Sequence, residues 1–240
     1  MLYHNSKSII ISNELAQYGE FDFTLNEWFL FLYAIKQNKE RTVPKKRIIE
    51  ISEFKRIFGL SSYSAIRNAA LSLANKKIVF KDTYIKLFSE CTVSKKEISF
   101  TIDDELLPYL FFGNGNKTII YVGFLKELRS KHSIRLYLFV SSFRHFNIYR
   151  MRIKDTMHVF GFKDKFKSDF IRTVLQPGKL DINNKTDLMC TFSEKEELFS
   201  FYCRLKNDEE LSLISEDWKT YTLEKEMELY EATLSEEFFI

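Results

Sequence analysis

A ten-residue pattern occurs twice in this 240-residue chain, and it narrows what the chain can fold into. Ile51-Ser-Glu-Phe-Lys-Arg-Ile-Phe-Gly-Leu60 returns 102 residues later as Ile153-Lys-Asp-Thr-Met-His-Val-Phe-Gly-Phe162. Isoleucine, an acidic residue, an aliphatic residue, phenylalanine and glycine fall at matching places. In a chain with 24 phenylalanines one such match can arise by chance, so its surroundings decide. Upstream, Thr24 and Glu27 form a capping box ahead of Leu25, Trp28, Phe29, Leu32 and Ile35, which follow helical spacing. A strand is expected near Arg47–Ile51, then a short helix capped by Ser52 and stopped at Phe58-Gly59. A longer helix should run from the Ser61-Ser62 turn to about Asn75, burying Ile66, Ala69, Ala70 and Leu73. Ile78–Phe88 and Glu97–Ile102 then read as a two-stranded hairpin. The order recurs downstream. An apolar helix at Leu136–Val140 echoes Leu30–Ala34, a helix follows at Phe166–Gln176, and Leu188–Phe192 with Phe199–Leu205 form a second hairpin.

Helix, short strand, helix, turn, helix, hairpin is the order of a winged helix. A repeat this long, with unequal loops, indicates two related domains rather than a solenoid. The expected fold is α+β and helix-rich: tandem winged-helix domains at 1–114 and 115–205, with an acidic helical tail at 206–240. The linker is expected near Phe112–Lys117, where Gly113-Asn-Gly-Asn breaks the periodicity. Only 7 glycines and 3 prolines are present, which argues against glycine-rich nucleotide folds and turn-rich sandwiches.

The net charge of +3 is a cancellation. Residues 1–190 carry 31 Lys+Arg against 19 Asp+Glu, a net of +12, and residues 191–240 carry 5 against 14, a net of −9. A basic body with an acidic tail suggests a polyanionic partner for the body, against the plain alternative of a solvated surface. Cys91, Cys190 and Cys203 are widely spaced with no C-x-x-C pair, so free thiols are expected. The longest apolar run, Trp28–Ile35, is far below the ~18 residues of a membrane span. No signal peptide is evident at the N-terminus, and no membrane partner is expected.

In a helix-turn-helix the second helix enters the major groove. At about 100° per residue, Phe166, Phe170, Ile171 and Val174 lie to one side. Lys165, Ser168, Asp169, Arg172 and Gln176 lie to the other. Arg172 can pair bidentately with guanine and Gln176 with adenine; Asp169 can accept from cytosine or simply favour the helix N-terminus. Lys163, Lys165 and Lys167 flank the helix start, where phosphates are well received, and Lys179 joins this DNA-facing set. Pro177 is expected to end the helix and to be able to start another turn. The first module's outer stripe is Ser64, Arg67, Asn68, Leu71 and Asn75. It carries one fixed charge, so less base readout is expected there. Lys76, Lys77, Lys81 and Lys86 would supply a basic wing for backbone contact.

Ser130-Lys-His-Ser-Ile-Arg-Leu-Tyr137 and Val174-Leu-Gln-Pro-Gly-Lys-Leu-Asp-Ile-Asn183, followed by Lys185-Thr-Asp187, carry a resemblance. They are similar to signature segments of the initiator replication proteins of iteron-containing, theta-replicating plasmids. Phe23-Thr-Leu25 and Leu106-Leu-Pro-Tyr-Leu110 are similar more loosely. The sequence departs at Gly178, where the family pattern usually has alanine, which weakens the helix expected after Pro177. The resemblance implies tandem winged helices that bind double-stranded origin repeats, help open adjacent AT-rich DNA and recruit host replication proteins. It also implies dimers that repress their own promoter, and a cytoplasmic, bacterial setting. The second domain would be the main sequence reader, and the first would contribute dimerisation and DNA contact. Arg135 would sit in the first helix of the second domain, as a phosphate anchor or a structural residue.

Enzyme readings find little support. A rolling-circle initiator needs a His-hydrophobe-His metal pair, and His4, His132, His145 and His158 contain none. Gly113-Asn-Gly-Asn-Lys117-Thr118 hints at a phosphate loop, but the two required glycine places hold Phe111 and Asn116. No catalytic chemistry, metal or cofactor is therefore expected. A winged-helix transcription regulator is the main competing reading, and a protein-binding adaptor another. The tail is expected to bind a partner or to cover a basic face.

Overall fold

The structure, a computed structural model, describes residues 8–36, 43–110, 117–146 and 148–213. The linker segment 111–116 and the tail beyond 213 lie outside the described residues. The first elements are β1 (Ser8–Ser12), α1 (Asn13–Tyr18) and α2 (Leu25–Ala34). Both arms of the Thr24/Glu27 capping box are formed, and residues 27–34 of α2 are all buried. An apolar stretch buried on every side makes α2 the centre of the first core.

β2 (Lys46–Glu50), α3 (Ile51–Phe58) and α4 (Tyr63–Ala74) follow. Ser52 does not cap α3. The helix begins two residues earlier, at Ile51, with Glu50 at the cap and no side-chain capping bond, and the Ser52 hydroxyl turns back to the Glu50 carboxylate. Ser62 does cap α4, accepting from Ala65 N–H at 3.1 Å, and Ile66, Ala69, Ala70 and Leu73 form its buried stripe.

The expected strand Ile78–Phe88 is two strands. β3 (Lys77–Phe80) and β4 (Thr83–Lys86) make a separate hairpin, and β5 (Phe88–Val93) pairs with β6 (Glu97–Ile102). The β3–β4 turn is Lys81-Asp82, with φ of 48° and 62°. Left-handed backbone at both central residues suits the twist of a tight hairpin, but Lys-Asp lacks the glycine that would announce it.

After a 3-10 turn at Leu107–Tyr109 come β7 (Lys117–Tyr121), α5 (Val122–Leu125), α6 (Lys131–Ser141), β8 (Ile148–Arg152) and α7 (Ile153–Val159). Then α8 (Lys167–Phe170) leads through a π turn (Ile171–Leu175) into α9 (Gln176–Lys185). β9 (Leu188–Lys195), β10 (Leu198–Leu205) and α10 (Asp208–Ser212) complete the described chain.

The repeat has a structural counterpart. Antiparallel sheets of order β2-β6-β5 and β8-β10-β9 follow the same plan. Ile51 N–H donates to Lys96 O and Ile153 N–H to Glu197 O, both at 2.9 Å, tying each short helix to its hairpin. The matched glycines, Gly59 and Gly161, both have positive φ, 61° and 75°. The following N–H reaches back five residues in each case, Leu60 to Lys55 O and Phe162 to Met157 O. The Phe-Gly pair therefore recurs because each helix ends in a left-handed cap.

The N-terminal segment crosses the expected 114/115 boundary. β1 pairs along its length with β7, and Thr118 donates to Asn13 Oδ1 at 2.7 Å. Gly161→Ala should destabilise by about 1–2 kcal/mol from its φ alone, since open space surrounds it. Gly59→Ala should cost more, because its Cβ would also meet Arg129 at 3.3 Å. Urea unfolding of both variants measures the difference, and Gly161→Asn should recover most of the loss.

Candidate nucleic-acid interface

The segment from Lys167 to Lys185 is one helix with a local widening. Phe166 O accepts from Asp169 and Phe170 N–H, both at 3.1 Å, and starts it. Pro177 is expected to end one helix and to be able to start another turn; it stands in the first turn of α9, and the helix does not end there. A proline in a helix removes a donor, and its ring crowds the carbonyl four residues back. Here the preceding turn opens to π geometry, with Gln176 N–H reaching Ile171 O, and the helix continues. Phe170, Val174, Leu175, Gly178 and Ile182 face inward and are buried. Gly178 permits a close helix crossing: a Cβ there would lie 2.7 Å from Leu136 Cδ2 of α6.

The far end is fixed by Lys206, within the span expected as the tail, and by Asn183. Lys206 is buried and donates to Asn183 O and Thr186 O, both at 2.6 Å. Burial pulls its ammonium down to about 8, still mostly charged at neutral pH. A cation there satisfies the free carbonyls at the helix C-terminus. The Asn183 side chain pairs with the Cys190 backbone at 2.9 and 2.7 Å, locking the helix to β9.

Outward, Ser168, Arg172, Gln176, Leu180 and Asn184 are exposed at a spacing of four, and Lys165 is exposed beside them. Lys179 is half-buried. Arg172 pairs with Asp169 at 2.8 Å along the helix. Lys163 pairs with Glu20 at 3.0 Å, and Lys167 with Glu194 of the β9–β10 hairpin. The pairings of Glu20 and Glu194 are not legible in the sequence: their partners lie far away along the chain, and no local spacing signals them. Phe166, placed on the apolar side by periodicity, is 78% exposed. It precedes the helix, so the helical phase does not govern it.

In the first half, Ser64, Arg67, Asn68, Leu71 and Asn75 are exposed on or just past α4. Lys76 is not a free wing residue. It pairs with buried Glu27 at 2.9 Å and also donates to Asp22 O. Lys77 is exposed and lies 6.0 Å from the Tyr84 ring centre. Lys81 pairs with Glu14 and Lys86 with Asp103.

Of the two roles open to Arg135, the structural one holds, and it is not on a DNA-facing surface. It is 4% exposed and donates to Ala16 O at 2.7 Å, Gln17 O at 3.3 Å and Gly19 O at 3.0 Å. The rings of Phe21, Phe139 and Phe160 surround it. Burial lowers its pKa to about 9, so it stays charged at neutral pH. Among the described residues, no group of His, Cys, Asp and Glu could hold a metal ion, and no helix is long and apolar enough to cross a membrane.

A family model described as Initiator Replication protein, WH1, matches residues 8–141. The chain belongs to this family. The match runs past the expected 114/115 boundary and ends at the close of α6. It thus takes in the Ser130–Tyr137 segment but not the Val174–Asn183 one. Two solved structures of RctB are similar to the initiator. Selenomethionine derivatives of its domains 2 and 3 share 11% identity at a TM-score of 0.45, covering 75% of this chain and 80% of that one. A second structure of domains 2–3 shares 11% identity at 0.41, covering 80% and 84%. No curated protein matches the initiator.

Arg135→Lys should cost about 3 kcal/mol in urea unfolding, because an ammonium cannot span three carbonyls. A surface phosphate anchor would instead leave stability unchanged. Burial would raise the Glu27 carboxyl, but hydrogen bonds from Ser72, Thr24 and Lys76 bring it below the usual range. A depressed folded value means that its contribution is present above the unfolded carboxylate range and is lost as pH falls through the folded value. Glu27→Gln should therefore lower stability at pH 7 by about 1–3 kcal/mol and flatten the acid side of the stability profile.

Proposed function

We propose that this initiator binds directly repeated origin DNA and reads it with the exposed ladder of the 167–185 helix. The supporting observation is that ladder itself. Ser168, Arg172 and Gln176 project from a helix whose opposite side is packed into a core, ahead of a hairpin that repeats the plan of the first half. That arrangement suits a second winged helix, with its reader in the major groove and its hairpin along the backbone. Arg172 and Gln176 are residue types that pair bidentately with guanine and adenine. Lys165 and the ion-paired Lys163 and Lys167 stand where phosphates would pass. On this reading the first half adds backbone contact through Arg67, Asn68 and Lys77, and supports self-association as a dimer.

The initiator would act without catalytic chemistry. It would open neighbouring AT-rich DNA through binding energy and recruit host replication proteins in the bacterial cytoplasm. The acidic segment beyond 213 is charged for a protein partner rather than for DNA.

The test is binding to the DNA that flanks the coding region. Direct repeats bound in a gel-shift assay, with replication of a test plasmid in trans, are the expected result. A single inverted repeat with no replication would mark a transcription regulator instead. Arg172→Ala should cost about 1–3 kcal/mol on the specific site and relax one base position. Lys165→Ala should weaken binding to all sequences alike and flatten the salt dependence.

A further inference from the structure

Two basic residues at the start of the reading helix already have carboxylate partners, and both carboxylates come from elsewhere in the fold. Glu194 reaches Lys167 from β9, where its backbone is held in register opposite Phe199 of β10. Glu20 reaches Lys163 at 3.0 Å and His158 at 2.6 Å. Its own backbone is fixed by bonds to Val79 of β3, at 2.8 and 3.3 Å. Neither carboxylate hangs on a free loop. Each carboxylate holds an ammonium group for which, with this helix reading DNA, a phosphate would compete.

We propose that Glu20 and Glu194 are built-in counter-anions that occupy Lys163 and Lys167 until phosphate displaces them, and so restrain binding to DNA of any sequence. This rests on the reading of the 167–185 helix as the DNA reader. Non-specific binding is almost wholly a phosphate interaction, whereas specific binding adds base contacts. The cost of displacing the two carboxylates falls on both kinds of complex, and only the specific one has base contacts to offset it, so random-sequence binding is the first to drop out of reach. A displaced glutamate is left beside DNA and holds back a cation, which reduces the net ion release on binding.

The experiment measures affinity for a random duplex and for the flanking repeat across a salt series, using the full chain. Glu194→Gln and Glu20→Gln should each raise random-duplex affinity by about two- to fivefold, the range expected for an exposed ion pair. Each should steepen the salt slope by up to about 0.9, one phosphate's worth. In a Lys167→Ala background the Glu194→Gln effect should vanish, as a double-mutant cycle requires for residues acting through one another. Unchanged random-duplex affinity in both variants, with thermal melting showing them folded, would overturn the proposal. So would an equal gain with Lys167 absent, which would mean simple repulsion of DNA by Glu194. If the unaltered chain binds neither repeat nor random duplex, the reading of the helix fails instead.

Discussion

The Arg135 guanidinium is the interaction on which the arrangement of the two halves depends. The chain leaving α1 presents the carbonyls of Ala16, Gln17 and Gly19 to an environment of aromatic rings. Carbonyls at a helix end have no partners of their own, and burying them unpaired is costly. Arg135, from α6, supplies donors to all three. The next residue, Glu20, then lies against β3 by its backbone and against Lys163 and His158 by its side chain. A buried charge in the second half thus sets the path of a segment from the first, and that segment reaches the start of the 167–185 helix. Arg129 adds a further tie, donating to Phe58 O at 2.8 Å beside the Gly59 cap.

Periodicity and capping made much of the fold legible. α2, α4 and the Phe-Gly helix ends follow from apolar spacing, a capping box, Ser62 and two glycines in left-handed backbone. These signals are local, and local physics decides them. The misreadings share a cause. The β3–β4 turn uses Lys81-Asp82 in place of glycine, Pro177 begins a turn without ending the helix, and Arg135, open between two roles in the sequence, looks like any helix-face cation. In each case a tertiary contact or an uncommon backbone state overrides the local preference. The role of Arg135 needs Ala16, about 120 residues away in sequence, to be visible.

The charge division between body and tail was legible as well, but its meaning changes at the level of pairs. Net charge counts every cation equally. In the structure, Lys76 is committed to Glu27, Arg172 to Asp169, and Lys163 and Lys167 to carboxylates on other elements. Lys165, between two paired lysines, is exposed. The acidic surplus also begins within the second half rather than after it. Arg204 holds Glu210 by two hydrogen bonds at 2.8 and 2.7 Å and keeps its carboxyl at about 2. Leu211 is buried in the core, so the first turn past β10 packs with the rest of the fold.

The π turn has a consequence for the outer face of the helix. In an unbroken α-helix, residues spaced by four drift around the axis, because a turn holds 3.6 residues. Phe170, Val174, Gly178 and Ile182 would then rotate progressively out of the core. The wider turn at 171–175 removes much of that drift, and all four remain buried. The opposite ladder is straightened by the same amount, so Ser168, Arg172, Gln176 and Leu180 stay exposed along one line. Pro177 causes this by making an ordinary turn unfavourable, and Gly178 allows it by letting the continued helix press against Leu136. A proline that looks like a stop signal thus gives a longer exposed ladder than the eleven residues from Phe166 to Gln176 would supply.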